Sequence, residues 1–325
     1  MTESAERTEA APRLPDITCV IPVYRAAAVL PELHRRLVAV LAGPGSSFEV
    51  IFVEDCGNDG SWAVIEALAG ADPRVRGIRL MRNFGQHNAI LCGIREARGE
   101  VIVTLDDDLQ HPPEELPKLL AKLAEGFDVV YGPPIQQQHG MLRNLASMAT
   151  KWVLQGAIGV DMAGEVCALR AFRSRLREVF ADYQSPYVSI DVLLSWATAN
   201  FGAVRLRHEL RRHGDSGYTV GKLARHALNM ITGFSTLPLQ IASMLGFCFM
   251  AFGLAVLVYV VGRYLIQGTS APGFPFLASI IAIFSGVQLF SIGIIGEYLA
   301  RMHVRTMGQP VYAVRCRTGA RESAA

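Results

Sequence analysis

The chain has 325 residues, 51% of them hydrophobic, a mean hydropathy of +0.28 and a formal net charge of +2. So small a charge excludes a nucleic-acid-binding protein, which needs a basic surface to neutralise phosphates. The six cysteines, at 19, 56, 92, 167, 248 and 316, are scattered without a C-x-x-C, which excludes a zinc ribbon or a disulfide framework and fits a reducing compartment.

Residues 1–15 are polar and lack the apolar stretch of a signal peptide, so they read as a disordered tail. From residue 17 to 131, strand and helix patterns alternate. Apolar runs at 17–22, 50–53, 75–80, 101–105 and 128–131 predict strands. Between them, 29–41, 61–69, 87–97 and 112–125 predict helices, with Ser61 as a helix cap and prolines opening the last one. Repeated βα units predict an α/β fold with a mostly parallel sheet and right-handed crossovers. Beyond a Pro/Gln-rich loop at 132–140, helices are expected over 141–159 and 186–200, and a late strand over 204–210.

Residues 211–218 form a basic, Gly-containing loop, and 219–236 an amphipathic helix suited to the headgroup layer. Residues 227–262 and 264–296 contain no Asp, Glu, Lys, Arg or His. Each stretch exceeds the roughly 20 residues that cross a bilayer core, so two membrane helices are expected, at 239–262 and 274–297. Arg205, Arg207, Arg211, Arg212, Lys222 and Arg225 precede them; Arg301, Arg305, Arg315 and Arg317 follow. The positive-inside rule puts both flanks in the cytoplasm, against the single outer Arg263.

The chemistry concentrates at strand ends. Asp106-Asp107-Asp108 closes the fourth strand, where like charges and desolvation make three acids costly and a divalent cation is the usual compensation. Oxygen ligands suit Mg²⁺ or Mn²⁺, and carboxyl ends of parallel strands are where open α/β sheets bind ligands. Asp106 and Asp108, two apart, share a face of an extended chain and are the candidate metal ligands. Asp55 and Asp59 follow the second strand, with Asp55 placed to accept hydrogen bonds from a nucleotide base. Arg82, after the third strand, suits either a phosphate or structural packing. His87, at a helix start, reads as a cap or structural residue rather than a general base. Neither a P-loop nor a G-x-G-x-x-G is present.

Four segments carry a resemblance: Cys19-Val20-Ile21-Pro22-Val23-Tyr24, Val53-Glu54-Asp55, Arg82-Asn83-Phe84-Gly85-Gln86-His87 and Asp106-Asp107-Asp108-Leu109-Gln110-His111-Pro112-Pro113-Glu114. Together they resemble glycosyltransferase family 2, with its GT-A fold. Three later groups narrow the likeness: Arg211-Arg212-His213-Gly214-Asp215-Ser216-Gly217-Tyr218, Phe234 to Leu239, and Gly296-Glu297-Tyr298-Leu299-Ala300-Arg301 with Gln309-Pro310-Val311-Tyr312. With these, the chain is similar over 16–314 to polyprenyl-phosphate glycosyltransferases that carry two C-terminal membrane helices.

The resemblance implies inverting transfer of one sugar from a nucleotide-sugar, UDP-linked by expectation, to undecaprenyl phosphate at the cytoplasmic face of the bacterial inner membrane. It implies a GT-A domain over 16–218, an interfacial helix over 219–237, a two-helix membrane region over 238–300 and a cytoplasmic tail over 301–325. Asp106 and Asp108 would hold Mg²⁺ or Mn²⁺ and the diphosphate, with Gln110 in support. Asp55, Pro22, Tyr24 and Arg82 would line the donor site. Arg211 would serve catalysis, and Ser216 and Tyr218 substrate binding, in the loop that holds the lipid phosphate. A homo-oligomer, by analogy a tetramer, is the expected assembly.

Departures from the family pattern are specific. N-D-G-S is replaced by Glu54-Asp55-Cys56-Gly57. The middle residue of D-x-D is Asp107, which is expected to face solvent. Gly217 stands where a Lys is common, and Ala163-Gly164 stands where several relatives have Gly-Asp, leaving Glu165 one position on. The alternatives weighed are a processive polysaccharide synthase and a non-catalytic membrane scaffold of the same fold.

Overall fold

A computed structural model describes residues 14–43, 47–135, 164–185, 188–209, 237–267 and 273–319. The helices expected over 141–159 and 219–236, the basic loop 211–218, and with it Arg211, Ser216 and Tyr218, lie outside the described residues. The chain divides into two compact units, one of Met1–Gly140, Leu154–Gly217 and Pro310–Ala325, the other of Met141–Val153 and Tyr218–Gln309.

The first unit is built on eight strands: β1 (Ile17–Val23), β2 (Phe48–Glu54), β3 (Val75–Leu80), β4 (Val101–Thr104), β5 (Val129–Tyr131), β6 (Arg170–Arg173), β7 (Phe201–Ala203) and β8 (Val314–Thr318), in the order β7-β5-β6-β4-β1-β2-β3-β8. β1 pairs in parallel with β2 and β4, β2 with β3, and β5 with β7; β6 and β8 run antiparallel to their neighbours. The helices are α1 (Leu30–Leu41), α2 (Ser61–Ala71), α3 (Gln86–Glu96), α4 (Leu116–Ala124) and α5 (Ile190–Ala197).

β1 and β2 are covered on both faces, which is why they read as unbroken apolar runs. Alternation divides them: Cys19, Ile21 and Val23 pack with α1 and α4, while Val20, Ile51 and Val53 pack with α3. α3 lies very close to β1, because a Cβ on Gly93 would come within 2.3 Å of Val20 Cγ1. Pro22 sits in central β1 without losing a ladder bond, since pairing with β4 ends at Val20–Thr104.

Several elements differ from the sequence reading. The late strand is Phe201–Ala203, joined further on, among the described residues, by a bridge between Pro134 and Leu206. No strand is predicted over 170–173 or 314–318, yet both complete the sheet; arginines at Arg170, Arg173, Arg315 and Arg317 break their apolar pattern. β8 thus returns 314–318 to the first unit, in place of the tail expected there. Ser61 begins α2, and Gly60 is its cap, in the left-handed region.

The second unit contains two long helices, α6 (Leu237–Gln267) and α7 (Phe274–Thr306). Pro238–Arg263 and Ile283–Thr306 are long and apolar enough to cross a membrane, and neither is buried within the protein. Within the pair, Phe249 meets Phe284 edge-on at 5.8 Å.

At the far end of the first unit, Asp72 caps α2. It accepts from Arg74 Nε (2.9 Å), Nη2 (2.8 Å) and backbone N (3.0 Å), and lies 3.0 Å from His34 Nε2. Chiefly because of Arg74, its pKa falls to about 2. A carboxyl depressed in the folded state stabilises the fold above its unfolded pKa of about 3.9, and that contribution is lost as pH falls toward the folded value. Asp72→Asn is therefore expected to melt below the wild type at pH 6, the gap closing as pH falls to 2. A gap independent of pH, in thermal scans of the detergent-solubilised protein, would contradict this assignment.

Candidate active site

Strands β4, β1, β2 and β3 are adjacent and parallel, so their carboxyl ends meet along one edge. Four loops leave that edge, and carboxylates tie them together. Asp55, 3% exposed, accepts from the backbone N–H of Phe84 (2.7 Å) and Gly85 (2.8 Å), while its own N–H donates to Val23 O (2.9 Å). Burial raises its pKa; the two N–H bonds oppose the shift. Asp59 is structural, accepting from Ala27 N (3.1 Å) and from Ser61 Oγ.

The acidic turn departs from the extended-chain expectation. β4 ends at Thr104, residues 107–108 turn, and Leu109 is left-handed (φ 59°), so alternation no longer governs which way the carboxylates face. Asp106 Oδ1 accepts from Gln86 Nε2 (2.6 Å) at the start of α3. Asp107 does not face solvent as expected. It is half-buried and its Oδ2 accepts from Tyr24 N (2.9 Å), joining the ends of β4 and β1. Burial, reinforced by the charges of Asp106 and Asp108, raises its carboxyl to about 7. Asp108 Oδ1 accepts from Gln110 N (3.1 Å).

The remaining expected residues divide clearly. Tyr24 is exposed at the rim, Pro22 is buried beneath it, and exposed Arg82 stacks on Phe84 with its guanidinium carbon 4.7 Å from the ring centroid. His87 accepts from Ile190 N (3.4 Å), linking α3 to α5, as the structural reading anticipates. Glu165 pairs with Arg205 at 3.4 Å. Among the described residues no three His, Cys, Asp or Glu side chains converge as a metal cage. Two carboxylates with oxygen-only donors still suit a hard cation whose shell is completed by water and substrate phosphates.

Sequence reasoning misses a buried network behind this edge. Arg170 (2% exposed) pairs with Asp191, which also accepts from Tyr131 Oη (3.0 Å). No local motif marks the pair, because β6 and α5 meet only in the fold. Asp191→Ala strands the Arg170 charge in the core and is expected to cost about 3–5 kcal/mol of stability; denaturant titration measures it. A loss below 1 kcal/mol would show that water reaches Arg170.

The parallel block, the antiparallel β6 beside β4 and the acid-rich turn at the end of β4 define a glycosyltransferase of GT-A type. Residues 18–182 match the family described as Glycosyl transferase family 2. The chain belongs to glycosyltransferase family 2. Over 302 residues it is 34% identical to an undecaprenyl-phosphate 4-deoxy-4-formamido-L-arabinose transferase of Shewanella sediminis, covering 92% of this chain and 91% of that one. The protein of the same name from Pseudomonas aeruginosa is 34% identical over 301 residues, covering 92% and 89%. A likeness in fold extends to a crystal structure of glucosyl-3-phosphoglycerate synthase from Mycobacterium tuberculosis with Mn²⁺, UDP and phosphoglyceric acid: TM-score 0.50, 17% identity, 67% of this chain and 76% of that one.

Proposed function

We propose that the protein transfers one sugar from a UDP-linked donor to undecaprenyl phosphate, inverting the anomeric carbon. The observation that carries this reading is the meeting of Asp55 and Asp106–Asp108 at one end of four parallel strands, in a chain that aligns over 92% of its length with a transferase named for that lipid. In the reaction a phosphate oxygen attacks the anomeric carbon as its bond to the diphosphate breaks, and UDP leaves with the electron pair.

Asp106 and Asp108 would hold Mg²⁺ or Mn²⁺, which when bound supplies the positive charge that the leaving diphosphate needs. Gln86 and the Gln110 amide orient these carboxylates. Asp55 sets the floor of the donor site, with Tyr24 and Arg82 at its rim. Arg211, Ser216 and Tyr218 are assigned to the lipid phosphate from the family resemblance. No general base is required: a phosphate monoester with a second pKa of about 6 is largely dianionic near pH 7, and positioning with charge stabilisation supplies the rate.

Membrane residence fits the substrate. Tethering a catalytic domain beside its lipid acceptor raises the effective concentration of one for the other. Because β8 pairs with β3, the segments before and after the helix pair belong to one folded body. This pairing supports an even number of membrane crossings by the helix pair. The basic residues on both flanks support a cytoplasmic position for that body, and the lipid acceptor of the relatives supports the inner membrane as its location.

A panel of UDP- and GDP-sugars with undecaprenyl phosphate and Mg²⁺ or Mn²⁺, read by mass spectrometry of the lipid, is the direct test. One UDP-sugar is expected to yield a singly glycosylated lipid; no product with any donor would refute the reading. With that donor, Asp108→Ala is expected to lower kcat about 100-fold or more, and Glu165→Gln less than about tenfold, as base-free chemistry requires. Equal, near-complete losses in both variants would restore a general base to the mechanism.

A further inference from the structure

Without β8, β3 would be the edge of the sheet. Residues 310–325 follow α7 in the chain yet belong to the first unit, and β8 covers the outer side of β3 from Gly77–Thr318 to Leu80–Val314. The docking is tight at its far end. A Cβ on Gly319 (φ 98°) would come within 2.5 Å of Val75 O, and Arg317 pairs with Glu96 of α3 at 2.9 Å. At the near end Val311 is 3% exposed in the apolar layer around α3, and Tyr312 and Phe84 pack against the same layer. The guanidinium carbon of Arg95, on α3, lies 5.6 Å from the Tyr312 ring centroid. Beside Tyr312, Ala313 O accepts from Met81 N (2.8 Å), one residue past the end of β3.

Met81 opens the loop 81–85 between β3 and α3, and this loop is tied from three directions. Met81 is bound to Ala313, Phe84 and Gly85 to Asp55, and Gln86, just beyond the loop, to Asp106. Two of these ties come from carboxylates of the candidate site, the third from the segment after α7. We propose that residues 311–313 are a brace that positions the loop after β3 for the donor, so that docking of β8 and binding of a nucleoside diphosphate with its metal favour each other. The inference rests on the reading above that this edge binds the donor. Its physical basis is preorganisation. Fixing the backbone of one residue costs about as much free energy as a tenfold change in affinity. With Met81 held by Ala313, folding has already fixed the start of the loop, and the ligand does not have to. With the segment undocked, Met81 N–H loses this acceptor, and Arg82 at the rim is carried by a freer backbone. Coupling between two such events is reciprocal, so the ligand stabilises the docked strand as much as the docked strand stabilises the ligand. Val311 and Tyr312 are positioning residues: neither is assigned to touch the donor.

Hydrogen exchange of the full chain in detergent, read by mass spectrometry with and without UDP and Mn²⁺, measures the coupling in the wild type. Exchange over 311–318 is expected to slow about tenfold when the ligand binds. Exchange over Leu116–Ala124, in α4 on the opposite face of the sheet, is expected to change less than about twofold. In calorimetry, Tyr312→Ala is expected to weaken UDP–Mn²⁺ binding about tenfold, and Arg317→Gln, at the far end of β8, by less than about twofold. If Tyr312→Ala fails to fold, the exchange measurement on the wild type still decides. A strand that only stabilises the fold would lower the melting temperature of Tyr312→Ala and leave its UDP–Mn²⁺ affinity unchanged, and that result would overturn the brace. Equal slowing over both segments would report global stabilisation and overturn it too. A wild type that binds UDP–Mn²⁺ with unchanged exchange over 311–318 would overturn the brace alone. A wild type that binds no UDP–Mn²⁺ would overturn the brace together with the donor reading beneath it.

Discussion

Where a strand ends, its backbone N–H groups lose their ladder partners, and at a half-buried edge each must find another acceptor. In this protein carboxylates supply those acceptors. Asp55 takes the N–H groups of Phe84 and Gly85, Asp107 takes that of Tyr24, and Asp59 takes that of Ala27. Each bond joins loops that follow different strands. The geometry of the candidate edge depends on this stitching, because the ladders end at Val23–Glu54, Glu54–Arg79 and Val20–Thr104 and these bonds join the loops beyond them.

The arrangement costs free energy in two ways. Acids gather where water is partly excluded, and Asp107 shows the result in a carboxyl raised to about 7. The loops also bend sharply: Arg25, Cys56, Asn58 and Leu109 all adopt left-handed backbone conformations without being glycine, each at a cost of roughly 1 kcal/mol. All four lie in the loops after β1, β2 and β4. Strain concentrated at one sheet edge, on a scaffold whose β1 and β2 are almost wholly buried, is the pattern of a preorganised site. The scaffold can bear it because the two apolar layers, with α1 and α4 on one face and α3 on the other, hold the sheet rigid.

The Cys56-Gly57 replacement of the family's usual turn is accommodated in the same terms. Gly57 N donates to Glu54 Oε1 (2.6 Å), and Arg25 Nε donates to Gly57 O (3.3 Å), and these bonds close the turn. Glu54, almost fully buried, is in turn neutralised by Arg79 at 3.0 Å. The substitution leaves Asp55 seated between β1 and the loop after β3.

Much of this was legible in the residue order. Short apolar runs marked β1 to β5 and period-3.6 patterns marked α1 to α4, because strands buried on both faces must be apolar throughout and helices must be apolar on one side. The charge-free runs around α6 and α7 were equally plain, since membrane-length helices tolerate no interruption. Asp55, Asp106 and Asp108 stood out because acids at the ends of buried strands demand compensation. What tertiary structure alone decided are relations between distant residues: β6 and β8 completing the sheet, Asp107 turned inward to Tyr24, Arg170 paired with Asp191, and Arg36 joined to Glu114 and Glu209. An ion pair or an edge strand is specified by a partner elsewhere in the chain, and neither periodicity nor local spacing carries the identity of that partner.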